Sequence, residues 1–177
     1  MMNMKIRLAR FNCYLLLAML ALIAGCKTAG ERIHDKALST FRLHLEGGPG
    51  GAGSLAAIQI AGTELYVNTA PFLDETSVTN AAVVDTRDGG FAIRVQYDRH
   101  GTLVLDSVTA ENRGRRIAIF TQYGAGKLER SRWLAAPSSP VTDGQLLFTP
   151  LTTREESEEI VRGLNNVARK IARRNRF

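Results

Sequence analysis

The chain has 177 residues, with 23 Lys and Arg against 17 Asp and Glu, and a formal net charge of +6. That length suits a single domain core. The positive charge is not organised as a basic face interleaved with aromatics, and no recognised motif accompanies it, so nucleic acid is excluded as the expected partner.

Lys5, Arg7 and Arg10 precede an apolar run at 11–23. The run is shorter than the roughly 20 residues a membrane-spanning helix needs, and it suits the core of a signal peptide. It ends in Leu22-Ile23-Ala24-Gly25-Cys26, small residues before a cysteine. This resembles the cleavage site of bacterial lipoproteins. The resemblance implies removal of residues 1–25, a diacylglycerol on the Cys26 thiol and an acyl chain on its freed amine. Cys26 is then a membrane anchor, not a nucleophile. Lys27 follows where an aspartate would retain the protein, which favours the outer membrane over the inner, with the domain facing the periplasm. Cleavage takes away Lys5, Arg7 and Arg10 with no accompanying acid and lowers the charge from +6 to +3. It also removes Cys13, so no disulfide is expected in the mature chain.

Residues 26–40 read as a tether. At 41–45, Phe41, Leu43 and Leu45 alternate with Arg42 and His44, which predicts a half-buried strand with His44 on its outer, polar face. The glycine-rich stretch 47–53 lacks the Lys-Ser/Thr of a phosphate-binding loop and predicts a hairpin connection. Leu55–Ile60 and 64–67 predict two strands around Ala61-Gly62-Thr63. Pro71 and Asp74 then mark a turn or a single helical turn. Val78–Asp85 and Phe91–Tyr97 predict strands around a turn at Asp88-Gly89-Gly90. Over 101–112 the apolar spacing changes to three and four, predicting a helix stopped by Gly114. Strands are expected at 116–120, 128–134 and Gln145–Phe148. Thr153-Arg154-Glu155-Glu156 has capping-box form and opens a last helix. Its apolar stripe is Ile160, Leu164, Val167, Ala168 and Ile171, with acids at its start and Arg169, Lys170, Arg173 and Arg174 at its end.

Between Ala81 and Asn165 an ordered string of motifs resembles one family. Gly89-Gly90-Phe91-Ala92-Ile93-Arg94-Val95 leads to Tyr97 and Gly101, and Thr109-Ala110-Glu111-Asn112-Arg113-Gly114 runs into Ile117-Ala118-Ile119. Ala135-Ala136-Pro137, Val141-Thr142-Asp143-Gly144 and Thr152-Thr153-Arg154-Glu155-Glu156-Ser157 with Leu164 follow in order. Together these resemble the head subdomain of the first periplasmic domain of SecD, the protein-export accessory subunit. The resemblance implies an α+β fold, a mostly antiparallel sheet with two main helices packed on one face, over residues 41–170, with 171–177 a basic tail. It implies contact with polypeptide and no catalytic residue. Thr121, Ser157 and Asn165 depart from the family pattern, where aspartate, alanine and glycine are usual. No series of membrane spans is present in this sequence to couple a proton gradient to movement.

The chain shows no chemistry of its own. His34, His44 and His100 share no metal-ligand spacing, and no cofactor is expected. Asp98-Arg99-His100 could form an acid–base pair, but no nucleophile motif supports it. Trp133 and Tyr123, near the predicted strand 128–134, are candidates for an aromatic contact surface, although a lone tryptophan such as Trp133 is expected more often in the core. The expectation is a non-enzymatic, lipid-anchored envelope protein. Its partners would be the membrane, through acylated Cys26, and another envelope protein or an exported polypeptide, in export or quality control. The alternative is attachment to anionic lipid or cell-wall polymer through Arg169, Lys170, Arg173, Arg174 and Arg176.

Overall fold

The computed structural model describes residues 37–48, 54–124, 129–135, 137 and 143–175. The signal segment with Cys26, His34, residues 49–53, Ala136, Val141, Thr142 and Arg176 lie outside it. Eight strands are described: β1 (Leu38–Leu45), β2 (Leu55–Ile60), β3 (Thr63–Asn68), β4 (Val78–Asp85), β5 (Phe91–Tyr97), β6 (Ile117–Gly124), β7 (Arg130–Ala135) and β8 (Gln145–Phe148). Helix α1 spans Arg99–Glu111 and α2 spans Arg154–Arg174, while Glu75–Ser77 forms one 3-10 turn capped by Asp74. The fold is α+β with antiparallel pairing throughout.

The sheet is divided. β1-β6-β7 and β4-β5-β8 are separate three-stranded sheets, and β2-β3 is a hairpin of its own. Alternation decides which side of each sheet is apolar. Phe41 and Leu43 of β1 lie opposite Thr121 and Ile119 of β6, and Ile93 and Val95 of β5 lie opposite Phe148 and Leu146 of β8. These inner faces form one core with Leu105 of α1 and Ile160, Val161 and Leu164 of α2. The Phe41 and Phe148 rings join the two sheets with centroids 6.0 Å apart.

Helix α2 explains the division. Its buried residues include the predicted Ile160, Leu164 and Ala168 but also Ser157, Val161, Gly163 and Asn166, a wider arc than one stripe. Two sheets, not one, cover it. At Gly163 an added Cβ would lie 2.7 Å from the Ser39 backbone nitrogen, so the helix backbone rests directly on β1. Asn165 Nδ2 donates to Ala81 O and its Oδ1 accepts from Ala81 N–H, both at 2.9 Å, as a neighbouring strand would. Asn166 Nδ2 donates to Ala37 O at 2.9 Å. Adjacent amides thus hold different sheets, and strand edges that would otherwise invite pairing with another chain are covered.

Several expectations need correction in detail. β1 begins at Leu38, inside the predicted tether, and α2 runs through Arg174 into the predicted tail. α1 starts earlier than its apolar spacing suggests because Asp98 Oδ1 accepts the Gly101 N–H at 2.7 Å, which makes Asp98 the cap of this helix. It ends at Glu111, where the Asn112 side chain donates to Val108 O, and Gly114 supplies a positive φ of 82° two residues after that cap. The capping box of α2 is half made. Thr153 Oγ1 accepts from Glu156 N–H at 3.3 Å, but the Glu156 carboxylate instead meets Arg130, Arg132 and the Tyr123 hydroxyl. Thr153→Ala is therefore expected to cost about 1 kcal/mol in urea unfolding, the usual loss for one cap.

Candidate interaction surface

β2 and β3 turn tightly at Ala61 and Gly62, whose φ values of 51° and 78° suit a two-residue hairpin. Alternation puts Ile58, Ile60, Leu65 and Val67 on one face of this ribbon, and that face packs on Ala118 and Trp133. The hairpin therefore covers the outer side of the β1-β6-β7 sheet. Its attachment includes Glu46 at the end of β1. Glu46 bridges to Val67, while its carboxylate accepts from Arg116 N–H at 2.8 Å and from the Arg116 guanidinium at 2.9 Å.

The Arg116 hydrogen bonds hold the Glu46 carboxyl below its ordinary value of 4.5. A carboxyl with a depressed folded value stabilises the fold above its unfolded value and loses that contribution as pH falls through the folded one. Glu46→Gln is accordingly expected to flatten the loss of stability below about pH 4.5, read as urea midpoints across an acid series.

The covering hairpin corrects the expectation for His44. It does lie on the face opposite Phe41 and Leu43, but it is only 7% exposed. Its Nδ1 lies 2.8 Å from Asn68 O. A carbonyl only accepts, so Nδ1 carries the proton. The imidazole meets Trp133 edge-on at 5.4 Å, and Trp133 meets Phe120 at 5.0 Å. These rings share a groove of about 220 Å³ with Arg42, Ala56, Val67, Asn68 and Thr69. A second depression, of about 390 Å³, lies along Ile60, Leu65, Ala135, Pro137, Phe148 and Leu151. The hairpin lines both.

Of the two aromatics read from the sequence, only Trp133 belongs to this surface. Tyr123 is on the inner face, 1% exposed, with its hydroxyl 3.1 Å from a Glu156 oxygen. Burial, then Glu156, pushes its phenol above its ordinary value. His100 is exposed in the first turn of α1, in a different element from His44. Arg169, Lys170, Arg173 and Arg174 are exposed in the last two turns of α2, and none of them lines the groove. The residues departing from the family pattern are all bonded: Thr121 Oγ1 to Thr40 O at 2.8 Å, Ser157 Oγ to Thr152 Oγ1 at 2.6 Å, and Asn165 to Ala81. Sequence reasoning missed Phe120 and the hairpin residues of the groove. The unclaimed apolar face Ile58, Ile60, Leu65 and Val67 was the signal that could have found them.

No helix among the described residues is long and apolar enough to cross a membrane. No protein-family model and no curated protein matches the chain. Among solved structures, that of a membrane component SecDF that enhances protein export matches 81% of this chain and 70% of its own, at 18% identity and a TM-score of 0.55. SecDF in a super-membrane-facing form matches 79% of this chain at 17% identity, also with a TM-score of 0.55; this chain spans 21% of that longer one. The described domain is thus similar in fold to a part of SecDF, a SecD-head-like α+β module, in keeping with the ordered motifs between Ala81 and Asn165.

Proposed function

We propose that this chain is a non-enzymatic, lipid-anchored protein of the bacterial envelope whose domain contacts unfolded or exported polypeptide, as an accessory to export or quality control. The observation that carries the reading is the fold shared with a SecDF structure described as enhancing protein export. The groove on the hairpin side adds a physical means. Its volume of about 220 Å³ is below the roughly 300–1,000 Å³ of sites for small organic ligands and suits single apolar side chains. Contacts with the half-exposed Trp133 and Phe120 rings are non-directional, so many sequences would satisfy them. Arg42 at the margin is exposed and available to carbonyls or carboxylates of a passing chain. The Cys26 lipid would hold the module on the periplasmic face of a membrane, with the outer membrane favoured.

The test is crosslinking in living cells from a photoreactive residue at position 42 of the full chain, with Cys26→Ala as the anchoring control. Varied exported polypeptides or translocon subunits are expected, in smaller yield from the control. Recovery of one cell-wall or outer-membrane assembly alone would overturn the export reading.

A further inference from the structure

Charge on α2 is used unequally. At its start, Arg154 pairs with Asp85, Glu156 with Arg130 and Arg132, and Glu159 with Arg130. At its end, Arg169 is bonded to Asn165 O and Asn166 Oδ1, which are neutral acceptors. Lys170, Arg173 and Arg174 are exposed, with no carboxylate partner among the described residues. The helix dipole favours cations in a last turn and so accounts for Arg173 and Arg174 alone. Val167 and Ile171 beside them are the outer end of the core-facing stripe, and their sides left half-exposed are what neither the dipole nor the core uses. Val167, Lys170, Ile171 and Arg174 stand at i, i+3, i+4 and i+7, one face of the helix. Val167 lines a depression with Leu38, which is 41% exposed. Glu75, which accepts the Phe41 N–H, and Glu129 line it too, and their carboxylates oppose an anionic surface, so docking there has to rest on the neighbouring cations of α2. Half-buried Val167 and Ile171, exposed Leu38 and interleaved long cations make the pattern of a helix that lies in a membrane interface.

This end of the domain is also where the chain enters. Asn166 holds Ala37, and Cys26 stands eleven residues earlier, a reach of at most about 40 Å. We infer that the last two turns of α2, with Leu38, dock on the anionic headgroups of the membrane that carries the protein: Val167, Ile171 and Leu38 lie against the interface, and Lys170, Arg173 and Arg174 meet lipid phosphates. Docking would fix the domain's orientation, so that the groove faces a constant direction. The nearness of the membrane rests on the lipid-anchor reading, and the test separates the two.

The full chain, purified in detergent, is reconstituted with vesicles of phosphatidylcholine alone or mixed with phosphatidylglycerol, each carrying a headgroup-photoreactive lipid. Flotation with phosphatidylcholine vesicles at high salt reads the anchor. Photocapture mapped by mass spectrometry reads the docking. At about fivefold per basic residue near an anionic surface, Lys170, Arg173 and Arg174 give a preference of at most about 100-fold for the mixed vesicles, and Glu75 and Glu129 lower it toward about fivefold where they face the same surface. Capture is expected at Leu38 and at 167–174, and it should fall with raised salt. The triple variant Lys170→Gln, Arg173→Gln, Arg174→Gln should lose it while keeping its circular dichroism and flotation. Capture spread over the surface, or unchanged by salt and by the variant, would overturn the proposal even if flotation succeeds; failed flotation with focused capture would overturn only the anchor.

Discussion

Gly163→Val is expected to destabilise the domain by about 3 kcal/mol, a fall of roughly 10 °C in Tm. The cause is local and steric. A Cβ at this position would meet Ser39 Oγ first, then the Ser39 nitrogen at 2.7 Å and the Leu38 carbonyl carbon at 2.9 Å. A side-chain hydroxyl can turn away, but a paired strand backbone cannot, because Ser39 and Leu38 are in register with Tyr123 and Gly124. Helix α2 must therefore lift from β1, and Ile160 and Leu164 lose core contacts as it does. Adding Ser39→Ala should return only part of the loss. Full recovery in that double variant, measured by thermal unfolding, would show that Oγ alone made the contact and that the backbone approach is not tight.

Asn165→Leu is expected to cost about 2–4 kcal/mol, because it removes both partners of Ala81 and leaves a backbone donor and acceptor without replacement. An exposed β4 edge also becomes a template for another chain, so the variant should associate at high concentration. Asn165→Asp separates the two bonds. It can accept from Ala81 N–H but cannot donate to Ala81 O, and it should fall between wild type and leucine in chemical unfolding. An aspartate variant as stable as wild type would place the weight on the accepting bond alone.

The elements set by local pattern were legible in the chain. Phe91–Tyr97 is a strand at the boundaries its alternation suggests, because a two-residue period has no other way to bury one face, while Val78–Asp85 was marked by the turn that follows it and Gln145–Phe148 by its apolar run. The ordered motifs pointed to the fold that the solved structures share. What escaped depends on partners far away in sequence. Asn165 stands 84 residues from Ala81, and Asn166 stands 129 from Ala37. Neither amide breaks the helical pattern, so nothing local marks them as edge caps. His44 was assigned to the right face, yet that face is covered by a hairpin whose own alternation does not say where it docks. Asp98 was legible only as a carboxylate near a histidine with no nucleophile beside it; its place as the cap of α1, three residues before the predicted start of that helix, comes from the Gly101 N–H that it accepts.

The groove reading has a built-in reporter, since Trp133 is the only tryptophan in the chain. Its emission should be titrated with an unfolded polypeptide that contains no tryptophan, using the full chain in lipid vesicles. A saturable shift in Trp133 emission, reduced by Phe120→Ala and Arg42→Ala with the thermal transition unchanged, is the result predicted for a polypeptide-contact module. Emission unaltered through saturating polypeptide, or a shift indifferent to both substitutions, would contradict it.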